Sequence, residues 1–100
     1  MSEYYARDGR PLTRAEAMRP EHHDMDRRRV ALDELEAVTV STVHLLHNHQ
    51  FGDGPPLIFE TMVFPRDEWS DLHCERYSTE AEAVAGHAEI LARAKAGEWS

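Results

Sequence analysis

Gly52-Asp53-Gly54-Pro55-Pro56 separates two runs rich in β-branched and aromatic residues, and no helix or strand can pass through it. Its glycines accept positive φ and its prolines lack a backbone donor. The runs on either side, Val38 to Leu46 and Leu57 to Phe64, therefore read as two strands of a β-hairpin spanning 38–64. In the second run Leu57, Phe59, Thr61 and Val63 share one face, and Ile58, Glu60, Met62 and Phe64 share the other. Apolar residues on both faces suggest a central or doubly covered strand rather than a solvated edge, with Glu60 as the exception.

The hairpin needs further partners, because two strands alone are marginal in water. The segment 28–36 fits neither period fully at Val30, Leu32 and Leu35. It is read as a third strand, with the helical alternative left open, joined to the hairpin by a tight Glu36-Ala37 connection. Residues 65–77 read as irregular, anchored by Trp69 and Leu72. Thr79 and Glu82 have the spacing of a helix start, and Gly97 supplies a stop, so a helix is expected over 80–96. Its alanine-rich stripe, Ala81, Val84, Ala85, Ala88, Leu91, Ala92 and Lys95, is expected to lie on the sheet. Ile90, with Ala83 and Ala94, would then point outward and could seed a homodimer. The resulting fold class is α+β: a small three-stranded antiparallel sheet packed by a C-terminal helix. Residues 1–26 form a partly ordered arm with a turn at Asp8-Gly9 and a capping box at Thr13 and Glu16, and residues 27–100 form a single α+β domain.

Composition narrows the possible functions. One hundred residues give one domain, and a net charge of −8 opposes binding to phosphate backbones. Arg27, Arg28 and Arg29 form the one basic cluster, read as a solvated strand edge rather than a phosphate site. No apolar run reaches the roughly 20 residues of a membrane helix, and the start of the chain lacks a signal-peptide core, so a cytoplasmic location and no membrane partner are expected. Cys74 is the single cysteine and reads as a small structural residue. The 52–56 loop leads into a strand rather than a helix, so it lacks the helix N-terminus that cradles phosphate.

Seven histidines are the compositional outlier. His47 and His49 would share a face of the first hairpin strand, with His44 on the other, and Glu60 on the partner strand could complete a metal set. No catalytic constellation and no cofactor signature accompany them.

The segments Arg28-Arg-Val-Ala, Val40-Ser-Thr-Val-His-Leu, His49-Gln-Phe-Gly-Asp-Gly-Pro-Pro-Leu-Ile-Phe-Glu-Thr-Met-Val-Phe and Arg76-Tyr-Ser-Thr-Glu-Ala-Glu-Ala-Val-Ala-Gly-His, with the opening Tyr4-Tyr-Ala-Arg-Asp-Gly-Arg-Pro-Leu-Thr, resemble a family of small uncharacterised proteins of actinobacteria and actinobacteriophages. The resemblance covers most of the chain and implies a free-standing phage or prophage accessory domain with no transferable activity. His49, Phe51, Glu60 and His87 fit the family pattern, whereas His44 and His47 stand where it has apolar residues, which weakens a metal site on His47. His49, Asp53, Glu60, Tyr77 and His87 fit without an obvious core role and form a candidate shared site.

The expected function is a non-enzymatic binding or regulatory module, homodimeric, acting on a host or phage protein through the sheet face or the 50–56 loop. Two alternatives are a metal- or small-ligand-binding protein using His47, His49 and Glu60, and an acidic decoy of a nucleic-acid-binding host protein.

Overall fold

A computed structural model describes residues 3–50, 52–68 and 70–99. Its centre is an antiparallel meander of four strands in the order β3 (Arg29–Glu34), β4 (Val38–His44), β5 (Phe59–Pro65) and β6 (His73–Tyr77). The hairpin and the strand before it occur as the sequence predicts, with Val43 opposite Glu60 and Leu32 opposite Ser41. The sheet has four strands rather than three. Residues 73–77, expected to be irregular, pair with β5 through Met62 and Cys74. The run His73-Cys-Glu-Arg-Tyr is short and mostly polar, which suits an edge strand but leaves no apolar alternation to read. Of the two expected anchors before it, Leu72 is exposed and Trp69 lies outside the described residues.

The helix α3 (Glu80–Lys95) crosses one face of the sheet. It starts where expected: Thr79 Oγ1 accepts from the Glu82 N–H at 3.1 Å, and Gly97, at φ 89°, follows its end. Its orientation reverses the sequence expectation. Ala83, Gly86, His87, Ile90 and Ala94 are buried, whereas Val84 is 53% exposed. The spacing 83, 87, 90, 94 is helical, but a polar histidine and a glycine in the stripe made the alanine-rich side look more apolar. Burial of the one large aliphatic residue decides the rotation: Ile90 is fully enclosed by Val38, Val40 and Val63 and stabilises by about 1.5–3 kcal/mol. Ile90 is thus core and offers nothing to a second copy.

Glycine at position 86 has a specific reason. A Cβ there would lie 2.3–2.4 Å from the hydroxyl and ring carbons of Tyr77. The helix therefore sits directly on that ring. Gly86→Ala gains about 1 kcal/mol of helix propensity but forces a stiff ring out of its place, an overpacking that costs about 1–3 kcal/mol. We expect a net loss of stability in urea denaturation, reversed in sign when Tyr77→Ala is added.

The N-terminal arm is built on the same side as α3. It comprises β1 (Tyr4–Tyr5) paired with β2 (Pro11–Leu12), α1 (Arg14–Ala17) with the expected Thr13/Glu16 capping box, a 3-10 turn at Pro20–His23, and α2 (Met25–Arg28). Tyr5 joins the core with Ile58, Phe59 and Ala83, and its N–H donates to the Leu46 carbonyl at 2.9 Å. Leu46 has φ 71°, a left-handed conformation uncommon for a branched side chain, and it ends β4. The Arg28 guanidinium donates to the carbonyls of His44 and Leu45 just before this turn, at 2.8 and 2.9 Å. Within the Arg27–Arg29 cluster Arg28 is thus structural, whereas Arg27 and Arg29 make only exposed pairs with Asp24 and Asp26.

His44 closes the junction, its buried Nε2 donating to the Tyr5 carbonyl at 2.9 Å. Burial holds its pKa below the ordinary value, opposed by that hydrogen bond and helped by Arg28, Arg7 and His22. The folded state therefore binds this proton less readily than the unfolded chain. Its contribution to stability is complete above about pH 6.5, the unfolded value, and is lost as pH falls through the depressed folded value. His44→Gln keeps a donor for Tyr5 without titrating. Between pH 7 and 5 the wild-type unfolding free energy should fall more steeply than that of the variant.

Candidate functional site

Two arrangements carry the polar chemistry of this chain, one on each face of the sheet. The first is enclosed between the sheet and α3. Thr42 of β4 and Thr61 of β5 are cross-strand partners facing inward, and both are fully buried. Their hydroxyl oxygens are 2.5 Å apart, and Thr42 Oγ1 lies 2.7 Å from His87 Nδ1. His87 Nε2 lies 2.7 Å from a carboxylate oxygen of Asp33 on β3. A carboxylate can only accept, so His87 donates through Nε2, and with the ring neutral its Nδ1 accepts from Thr42, which accepts from Thr61. Beyond Thr61 stands the Tyr77 hydroxyl, which donates to Glu75 at 3.3 Å. Burial raises the Tyr77 pKa, with Thr61 lowering it and Glu75 raising it.

Thr42, His87 and Asp33 have the order of a nucleophile, a base and an orienting carboxylate. Thr42 is nevertheless closed off on every side, so no substrate reaches its oxygen. The string is a satisfied polar core that ties β3, β4 and β5 to α3.

The opposite face is bare in the sense that, among the described residues, no helix or strand packs across it as α3 does on the other side, although Thr39 is buried and the Glu60 side chain is only 12% exposed. Three registered rows cross this face. Arg29, Val43, Glu60 and Arg76 form the first, Leu32, Ser41, Met62 and Cys74 the second, and Glu34, Thr39 and Phe64 the third. Leu32 is 38% exposed, and Val43, Met62 and Phe64 are half-buried. Glu60 is bonded to Arg76 at 3.0 Å, and Glu34 stands 3.7 Å from Arg66. A groove of about 500 Å³ runs between Leu32, Ser41 and Phe64 with Met25 at its edge. Of the two alternatives expected for β5, it is central, between β4 and β6, and among the described residues a helix covers one of its faces.

The residues singled out in the sequence are distributed over both faces. Tyr77 and His87 belong to the enclosed string, and Glu60 to the bare face, as neighbours of opposite parity must. Asp53 is in the exposed loop. His49 lies near Glu60 and Arg76, and its pKa is lowered by burial and by Arg76 while Glu60 raises it. The five do not form one site. His47 and His49 are not on a strand, because the left-handed turn at Leu46 ends β4 at His44. Their rings meet edge to face, with centroids 5.6 Å apart. Among the described residues no group of three or more His, Cys, Asp or Glu is placed to hold a metal ion, so Glu60 does not complete a set with them. No family profile, curated protein or solved structure matches the chain.

Cys74 sits beside Glu60, its Sγ 3.5 Å from the carboxylate. Burial first, and then the Glu60 charge, push its pKa up to about 11, so the thiol stays protonated at neutral pH. Glu75, Glu82 and Glu89 border a shallow groove of about 480 Å³ together with Arg76 and Tyr77. Among the described residues no helix is long and apolar enough to cross a membrane.

Sequence reading missed Thr42, Thr61 and Asp33. The available signal was position: both threonines occupy inward sites of strands, alongside Val38, Val40 and His44 in β4 and Phe59 and Val63 in β5. Thr42→Val should cost about 1–3 kcal/mol, because it leaves His87 Nδ1 buried without a donor. Adding His87→Leu should recover most of that loss. Thr61 then still has Tyr77, and Asp33 is partly in water. A double-mutant cycle in denaturant gives the coupling.

Proposed function

We propose that this chain is a non-enzymatic binding module whose working surface is the bare face of the sheet. The observation that carries this reading is the asymmetry between the two faces: one holds α3 and a closed polar core, while on the other Leu32, Val43 and Met62 stand in register with no helix or strand across them among the described residues. The ion pairs Glu60–Arg76 and Glu34–Arg66 frame these residues. An apolar centre with a polar border is the anatomy of a protein interface. The resemblance to small proteins of actinobacteria and their phages supports a phage or prophage accessory role, with a host or phage protein, a second copy of this chain included, as the class of partner. The chemistry is recognition rather than catalysis, since the one triad-like string is sealed and the one thiol is held protonated.

The acidic-decoy reading draws on the Glu75, Glu82 and Glu89 groove and on the net charge of −8. Arg76 within that groove interrupts the row of negative charge, which favours the sheet face.

The test is affinity capture with the tagged full-length chain in cells that also express an untagged copy. Wild type and Val84→Glu, altered on the exposed side of α3, should retain the same proteins. Met62→Glu, at the centre of the bare face, should lose them at least about tenfold. Equal retention by all three variants, or by none, removes this reading.

A further inference from the structure

We propose that the partner of the bare face is a second copy of this chain, packed face to face about a twofold axis that runs across the strands along the middle row, Leu32, Ser41, Met62 and Cys74. The proposal rests on the reading of that face as a binding surface and names its occupant.

Two identical faces meet symmetrically only if the axis lies in the plane of contact. A four-stranded sheet offers two natural directions. With the axis across the strands, each strand lies over its own counterpart and the two outer rows exchange. With the axis along the strands, between β4 and β5, the rows stay and β3 exchanges with β6.

The registered positions distinguish the two. In the first arrangement Arg29 meets the partner's Glu34, and Glu34 meets the partner's Arg29, while Leu32 and Met62 meet their own counterparts. In the second, Arg29 stands over the partner's Arg76, and this like-charge contact occurs twice. Opposite charges across an interface fix register, whereas like charges in apposition cost several kcal/mol. Arg29 and Glu34 are both free to serve. Their side chains are 44% and 56% exposed, and their present contacts, to Asp26 at 3.4 Å and Arg66 at 3.7 Å, are long.

Charge also selects this face for self-association. Two chains of net charge −8 repel one another over most of their surfaces. The charges within the three rows, Arg29, Arg76, Glu34 and Glu60, balance, and Arg66, Asp67 and Glu68 at the rim leave the face with one net negative charge. A copy therefore meets far less repulsion there than over the rest of the surface. Ion pairs at opposite corners leave the middle row free to close.

The expected affinity is modest. Four strands about 4.8 Å apart and six residues long at about 3.3 Å each give a face of roughly 20 by 20 Å. That is about half of what each partner buries in a standard stable interface. An interface of that size belongs with weak, transient contacts, so dimer should accumulate only as concentration rises.

Sedimentation equilibrium of the full chain from about 5 to 500 μM at low salt tests this. Wild type should approach twice the monomer mass at the upper end. Met62→Glu, or Leu32→Lys should that variant fail to fold by circular dichroism, should remain monomeric. Arg29→Glu should weaken the dimer about tenfold or more, because it opposes two acids, and the double variant Arg29→Glu/Glu34→Arg should restore it to within about threefold. A wild-type chain that stays monomeric throughout overturns the second copy as partner. Capture of another protein that depends on Met62 would still leave the binding module standing. A dimer unaffected by Met62→Glu overturns the face. One that Arg29→Glu strengthens, by relieving Arg29 over Arg76, overturns the axis.

Discussion

The hydrogen bonds from Asp33 through His87 to Thr42 and Thr61 determine how the two layers of this fold meet. A buried imidazole is tolerated only when both nitrogens have partners, and here one partner comes from the edge strand and the other from the sheet centre. That requirement sets the rotation and the height of α3 at once. Ile90 then falls on Val38, Val40 and Val63, and Gly86 falls on Tyr77. Apolar burial supplies most of the stabilisation, but a greasy helix could slide or turn on a greasy sheet. The polar string removes that freedom.

What could be read from the chain was local. The Gly-Pro loop announced the hairpin, Thr79 announced α3, and Thr13 with Glu16 announced α1, because each is decided by a few adjacent residues. The strand at 29–34 looked ambiguous for a physical reason now visible: an irregularity between Arg29 and Ala31 shifts the register. Val30 therefore packs inward beside Tyr5 and Ile58, while Leu32 points out and Asp33 points in. A two-residue period interrupted once matches no template. The helix face was misjudged because a count of apolar residues ranks alanines above a histidine, and nothing in the helix itself says that two threonines await that histidine on distant strands.

The candidate site was less legible still. A pattern of shared residues placed Glu60, Tyr77 and His87 together, yet the parity of β5 sends Glu60 away from Thr61 and its neighbours. The bare face could be recognised only once a single covering layer had been found for four strands. Its middle row, Leu32, Ser41, Met62 and Cys74, draws one residue from each strand, so no continuous segment of sequence displays it.

The clamp between the arm and the end of β4 bears on the order in which the molecule assembles. Arg28 reaches carbonyls 16 and 17 positions later, Tyr5 reaches Leu46, and Arg7 pairs with Glu80 across 73 positions. The arm precedes all of these partners in the chain. Closing such long loops early is entropically unfavourable. Residues 3–28 are made before any of these partners, so the contacts that tie the arm to Leu46 and Glu80 can close only once β4 and α3 have been synthesised.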